Sequence, residues 1–145
     1  MTNPTARKFG YPQSLVAETQ SWLVLVRPAQ PTLGSLVLVC KEPAEAFSEL
    51  SPAAFADLAV AIRGVERALS QFVGYARINY LMLMMVDRDV HFHVLPRYEG
   101  ERAFEGLSFA DHGWPAAPQL SPAVDLEPPV AEALVERLRA LWSAA

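Results

Sequence analysis

Cysteine is almost missing from this chain of 145 residues: Cys40 stands alone. No intrachain disulfide can form, and a cysteine-rich zinc site is excluded. Cys40 ends the apolar run SLVLVC, where a lone thiol reads as a small buried hydrophobe. Basic residues are also in short supply, with 12 Lys+Arg against 16 Asp+Glu and a formal net charge of −4. A chain so charged lacks the positive field that holds a DNA or RNA backbone, so a dedicated nucleic-acid binder is not expected. A small anion is still acceptable, because one site can be positive within an acidic protein. Long hydrophobic runs are absent too. The most apolar window, WLVLVRPAQPTLGSLVLV, is broken by Arg27, Pro28, Pro31 and Gly34, too early for a membrane span. The first residues, MTNPTARKFGYP, lack the apolar centre of a signal peptide, so a cytoplasmic protein is expected.

What is present is the material of one ordinary domain. Hydrophobic residues make up 52% and charged residues 19%, and a chain of this length buries roughly 68–70% of its unfolded surface. SLVAETQSWLVLVR reads as two short strands around a polar turn at Glu18 to Gln20. SLVLVCK is a β-branched run suited to a central strand covered on both faces. Ser51 is placed to cap a helix with Pro52 at its first position. That helix should run to about Phe72, because Phe55, Leu58, Ala59, Ile62, Val65, Leu69 and Phe72 recur at three- and four-residue spacing. YARINYLMLMM and RDVHFHVLPR then read as strands joined by a tight turn near Val86 to Arg88. A proline-rich loop over 101–126 and a C-terminal helix over 127–143, with Val130, Leu134, Leu138 and Leu141 on one side, complete the single domain.

Two of the three histidines fall in VDRDVHFHVLPR, two residues apart, with Asp89 two residues before the first. Strand side chains alternate faces, so Asp89, His91, His93 and Leu95 should share one face and Val90, Phe92 and Val94 the other. Three readings are open. The pair can be ordinary half-exposed strand histidines. Two imidazoles and a carboxylate also match the ligand set of non-haem iron or zinc, with Asp89, His91 and His93 as the metal-binding group. Finally, a neutral imidazole is a good nucleophile towards phosphorus when a neighbour fixes its tautomer, with His91 attacking and His93 or Asp89 orienting it.

The order of elements and the motif together resemble the histidine-triad (HIT) superfamily of nucleotide hydrolases and transferases. The motif reads Asp89-Val90-His91-Phe92-His93-Val94-Leu95 and ends in Pro96-Arg97; PTLGSLVLVC is similar to the upstream strand, and EAFSELSPAAFADL to the segment leading into the long helix. The resemblance covers roughly residues 10–100. It implies an α+β fold with an antiparallel sheet of about five strands, a long helix packed on it and a C-terminal helix. It implies a homodimer with a small nucleotide as partner, and no cofactor. The family's nucleophile lands on His91, its third histidine on His93, and its first on Asp89. Its phosphate-contacting asparagine falls near Asn79, and Trp114 lies where some relatives close the nucleotide pocket.

Three positions depart from the pattern. Ser35 stands where the family has histidine, Arg27 where it binds ribose through Asp or Asn, and Met84-Met85-Val86 replaces its Gly-Gln-Ser/Thr phosphate-donor turn. Each lost donor typically costs about 2.7–4 kcal/mol of transition-state stabilisation, so Arg27, Arg88, Arg97 or the C-terminal loop would have to compensate. The expected function is hydrolysis or nucleotidyl transfer on a phosphoramidate or nucleoside polyphosphate through a covalent histidine. A non-catalytic nucleotide binder and the metal-binding protein are the alternatives.

Overall fold

A computed structural model describes residues 3–144. A short helix α1 (Pro4–Lys8) leads into β1 (Leu15–Glu18) and β2 (Trp22–Val26), which turn through residues 19–21, one residue beyond the polar turn expected at Glu18 to Gln20. After the two-residue β3 (Ala29–Gln30), β4 (Leu36–Cys40) pairs antiparallel with β2. The long helix α2 (Pro52–Val73) crosses the sheet to β5 (Arg77–Leu81), and β6 (His91–Arg97) returns between β4 and β5. The result is an antiparallel five-stranded sheet in the order β1-β2-β4-β6-β5. β4 lies at its centre, and every residue from Leu36 to Cys40 is buried, as its unbroken apolar run requires. Cys40 is among them; burial pushes its thiol upward, so it is held protonated and unreactive.

The sheet has two unlike faces. On one, Val24, Leu38, Val94 and Trp22 pack against Ala61, Val65 and Leu69 of α2 and against Leu134 and Leu138 of α3 (Pro128–Ser143). The Ser51 hydroxyl accepts from Ala54 N–H at 3.1 Å, and Trp22 Nε1 donates to Ala54 O at 2.9 Å, so the start of α2 is both capped and tied to β2. Gly64 is what lets α3 come close: a Cβ there would sit 2.4 Å from the Trp142 ring. Gly74 then ends α2 in the left-handed conformation, at φ 56°.

The opposite face is thinner. Leu23, Leu25, Val37 and Val39 are covered by Ala6 and Phe9 of the N-terminal segment, with Tyr11 and Leu15 beside them. No element was expected before Ser14, and α1 is an addition to that reading.

Two further departures from the expectations concern connections. β5 stops at Leu81 and β6 starts at His91, so residues 82–90 form an extended connection rather than a tight turn at 86–88. Within the stretch expected to be loop, β7 (Glu101–Phe104) and β8 (Leu107–Ala110) form a hairpin, and β9 (Val124–Asp125) pairs with β3. The hairpin turns through Glu105 and Gly106, both at positive φ, a geometry that fits the twist of the flanking strands. The remaining segment, from Asp111 to Ala123, is irregular and lies over the thin face of the sheet near β5 and β6.

Candidate active site

His91 and His93 emerge from β6 on the thin face, two residues apart, with ring centroids 5.1 Å apart and planes at 81°. Both are buried, yet both line a cavity of about 260 Å³ whose other walls include Phe9, Arg27, Met85 and Leu120. Phe9 roofs the pair, its ring 5.6 Å from His93 and 6.3 Å from His91. An aromatic lid of this kind lowers the local dielectric, which strengthens each polar contact made inside. Lys8 and Asp87 also border the cavity, paired at 3.0 Å.

The two rings are fixed in complementary states. His91 Nδ1 lies 2.7 Å from the main-chain carbonyl of Asp89. A carbonyl only accepts, so this nitrogen carries a proton, and in the neutral ring the lone pair falls on Nε2. His93 Nδ1 instead faces Arg27 Nε at 3.4 Å, and Arg27 only donates. His93 therefore carries its proton on Nε2. Burial, then the charges of Arg27 and His91, push the His93 pKa down to about 4, with Lys8 adding to this and Asp87 opposing it. In their neutral forms the two rings thus present one lone pair and one N–H.

Asp89 does not share the strand face with them. It precedes β6, and its carboxylate accepts from Thr5 N–H at 3.2 Å, pinning α1 over the site. What orients His91 is the peptide carbonyl of residue 89, which any residue at that position possesses. The carboxylate makes no hydrogen bond to either ring, and among the described residues no cluster of three His, Cys, Asp or Glu side chains is placed to hold a metal ion.

Other predicted site residues are distributed as follows. Arg27 reaches the histidine cavity, with its Nη1 donating to Ala29 O at 2.6 Å. Ser35 is fully buried one layer away: its hydroxyl donates to Thr32 O at 2.7 Å and accepts from Thr32 N–H at 3.3 Å. Its carbonyl accepts from Arg27 N–H at 3.0 Å, so Ser35 shapes the loop that carries Arg27. Gln30 completes that loop, donating to Arg27 O and Ser35 O and accepting from Gly34 N–H. Asn79, Arg97 and Trp114 gather around a second cavity, of about 500 Å³, between β5 and the loop Trp114–Pro118. Arg97 is almost wholly buried, bound through Nε and Nη2 to Asp111 at 2.7 and 3.2 Å and through Nη2 to Ala116 O at 2.9 Å. Its remaining arm donates to Asn79 Oδ1 at 2.7 Å.

Arg88 is exposed and borders neither cavity, and His112 is likewise exposed and outside both. Phe9, Lys8, Leu120 and Asp111 escaped the sequence reading because each comes from far along the chain. Only Phe9, an aromatic in an otherwise polar N-terminal stretch, carried a local signal.

The turn that replaces the expected phosphate donors keeps one backbone feature. Met84 lies at φ 53°, the left-handed region that favours glycine. The side-chain donors are gone, but the main-chain N–H groups of Met85, Val86 and Asp87 carry no hydrogen bond among the described residues, and all three residues border the histidine cavity.

No family model matches the chain, and no curated protein matches it. Solved structures do. A histidine-triad protein from Sinorhizobium meliloti superposes with a TM-score of 0.74 at 20% identity, over 97% of this chain and 95% of that one. A histidine-triad protein from Bradyrhizobium japonicum gives 0.70 at 18%, over 97% and 96%. A hypothetical histidine-triad nucleotide-binding protein from Sulfolobus tokodaii gives 0.69 at 18%, over 90% and 84%. At such identities the likeness is one of fold, and it extends over nearly the whole chain: the protein has the α+β fold of the histidine-triad superfamily.

Proposed function

We propose that the protein is a nucleotide hydrolase or nucleotidyl transferase that cleaves a phosphoramidate or nucleoside polyphosphate through a covalent intermediate on His91. The observation that carries this reading is the His91 Nδ1 contact to the Asp89 carbonyl, which puts the lone pair of the neutral ring on Nε2. In the first step Nε2 attacks phosphorus, a P–Nε2 bond forms, and the bond to the leaving amine or phosphate breaks with its electron pair. The leaving group takes a proton from water. The imidazole becomes cationic, and the Asp89 carbonyl, already accepting from Nδ1, stabilises that charge. In the second step water attacks phosphorus and gives its proton to the hydroxide left by the first step, the P–Nε2 bond breaks, and the lone pair returns to His91.

His93 acts as a hydrogen-bond donor in this scheme. With a pKa of about 4 it is neutral at pH 7 and has no spare proton to give. Its Nε2–H would bind a phosphoryl oxygen as charge collects there, a role worth about 2.7–4 kcal/mol for one donor. Arg27 fixes that tautomer and adds positive charge at the cavity. Asn79 is assigned a phosphate-side donor role, and Asp89 an indirect one through its carbonyl and its hold on α1. Ser35 acts through the Arg27 loop, Arg97 through Asn79, and Trp114 as a wall of the adjoining cavity.

The same reading includes a homodimer. β5 leaves one edge of the sheet unpaired, and Phe55 and Val60 on the outer side of α2 are 42% and 50% exposed. Pairing along that edge uses main-chain groups and leaves the side chains of Arg77 and Asn79 on the histidine face. No helix is long and apolar enough to cross a membrane; a cytoplasmic location and a lack of nucleic-acid partners are part of the proposal.

The test is single-turnover hydrolysis of adenosine 5′-phosphoramidate and diadenosine tetraphosphate by the wild type and His91→Ala. AMP release that vanishes in the variant and ignores chelators supports the nucleophile. Nucleotide binding without turnover would favour the non-catalytic binder, which the lost side-chain donors of residues 84–86 recommend as the second reading.

A further inference from the structure

The two histidines are shut in. His91 is 2% exposed and His93 7%, and Phe9, itself buried, lies over both rings. The cavity left to them holds about 260 Å³, below the roughly 300–1,000 Å³ usual for a small-molecule site. Phosphorus has to come within about 3–3.5 Å of a nucleophile to react. A nucleotide cannot bring it there while Phe9 stays in place.

The segment that carries Phe9 is weakly held. Its helix α1 has five residues, and isolated helices shorter than about 12–15 residues are marginal in water, so its order comes from what it touches. It adds only Ala6 and Phe9 to the small cluster of Leu23, Leu25, Val37 and Val39. Three polar tethers hold it among the described residues. Asn3 Nδ2 donates to Cys40 O at 3.1 Å, Thr5 N–H to Asp89 Oδ2 at 3.2 Å, and Lys8 Nζ to Asp87 Oδ2 at 3.0 Å. The Lys8 side chain is half exposed, so its pair with Asp87 is screened by water. The Asn3 bond joins neutral groups. The Asp89 bond alone sets a full charge in a part-buried place. Behind Phe9 the chain turns at Gly10, at φ 89°, a conformation open to glycine. Ser14 Oγ donates to Phe9 O at 2.7 Å and anchors the stem. Segments with so few apolar contacts open at a small fraction of the free energy of global unfolding.

We propose that residues 3–9 form a lid, closed in this structure, that lifts from the histidines by pivoting at Gly10, and that the Asp89 carboxylate is its latch. Residue 89 then acts twice: its carbonyl sets the His91 tautomer, and its side chain sets how often His91 is uncovered. The bearing of the lid on turnover rests on the proposed hydrolase reading; the motion itself does not.

Diethyl pyrocarbonate, which acylates an unprotonated imidazole nitrogen, reads the lid without any substrate. Peptide mass spectrometry gives a rate for each of the three histidines. His112 is exposed and supplies the rate of an open ring. Cys40 is buried in the core on the opposite face of the sheet, so its reaction with a thiol reagent reports opening of the whole domain. In the wild type His91 should react at least about tenfold more slowly than His112. Asp89→Ala should speed His91 by about tenfold, the weight of one hydrogen bond to a charged group. Asp89→Asn keeps an acceptor without the charge and should fall between the two. Asn3→Ala removes a tether with no change of charge and should also speed His91. None of these variants takes anything from the roof, so faster labelling reads motion and not a hole.

His91 as reactive as His112 in the wild type would overturn the closed lid. An unchanged His91 rate in Asp89→Ala, or one that rises only in step with Cys40, would overturn the latch. The association rate of a fluorescent N-methylanthraniloyl AMP should rise in Asp89→Ala by the same factor as the labelling, since only open molecules admit it. Equal association rates in the two proteins would overturn the gating role. No association with either protein would overturn the nucleotide reading, while the labelling still decides the lid.

Discussion

Protonating His93 should cost the folded state, and the cost is readable as an acid limb in stability. The pKa of His93 falls from an ordinary 6.5 to about 4. Above pH 6.5 both the folded and unfolded chains carry a neutral ring there, and no difference arises. Between pH 6.5 and about 4 the unfolded chain binds a proton that the folded chain refuses, so stability drops as the pH falls. At 1.36 kcal/mol for each unit, a window of this width is worth about 2–3 kcal/mol by pH 4.5. The causes are local: His93 is 7% exposed, with Arg27, His91 and Lys8 adding like charge and only Asp87 opposing them. Urea unfolding of the wild type and His93→Gln between pH 7.5 and 4.5 isolates this contribution, because carboxylate titrations common to both proteins cancel in the difference. The variant will lose packing and the Arg27 contact at pH 7.5. Its deficit should then narrow by about 2–3 kcal/mol as the pH is lowered. A deficit that stays constant across this range would refute the argument, and with it the neutral Nε2–H form of His93 on which its donor role rests.

Three further expectations follow from the same structure. Asp111→Ala leaves the Arg97 guanidinium buried without its carboxylate and should cost about 3–5 kcal/mol in chemical denaturation; a loss under 1 kcal/mol would mean that water replaces the pair. Asp89→Ala removes the contact to Thr5 N–H, yet it should leave the nitrogen chemical shifts of His91 in the Nδ1–H pattern, because a main-chain carbonyl sets that tautomer. A switch to the Nε2–H pattern on NMR would show instead that the carboxylate governs the ring. Glu105→Asn, in the exposed β7–β8 turn at φ 51°, should raise the melting midpoint, since Asn tolerates the left-handed region better and stabilises by a few tenths to about 1 kcal/mol.

How much of this was legible in the chain depends on the range of the forces concerned. The alternation of β2 and β4, the cap at Ser51 and the stripe along α2 act within a few residues, and they placed the sheet and its long helix. Pairing of His91 with His93 was also local, since a strand puts residues two apart on one face. The fate of Asp89 was not. The sequence places it in register with the histidines, but the chain leaves the strand before reaching it, and its carboxylate is captured by Thr5 from the opposite end of the molecule. The β7–β8 hairpin hid for a related reason: its strands are short, and neither shows a clean alternation of apolar and polar residues.

By itself, then, the sequence determined an α+β domain in which one strand carries two histidines on a single face, because period and propensity are written into neighbouring residues. Tertiary structure alone decided what those histidines are. The Asp89 carbonyl and Arg27 assign their protons from opposite sides, Phe9 roofs them, and the Arg97–Asp111 pair opens a second cavity beside them. Tautomer, burial and charge environment depend on atoms brought together from remote parts of the chain, and only the packed fold specifies which atoms those are.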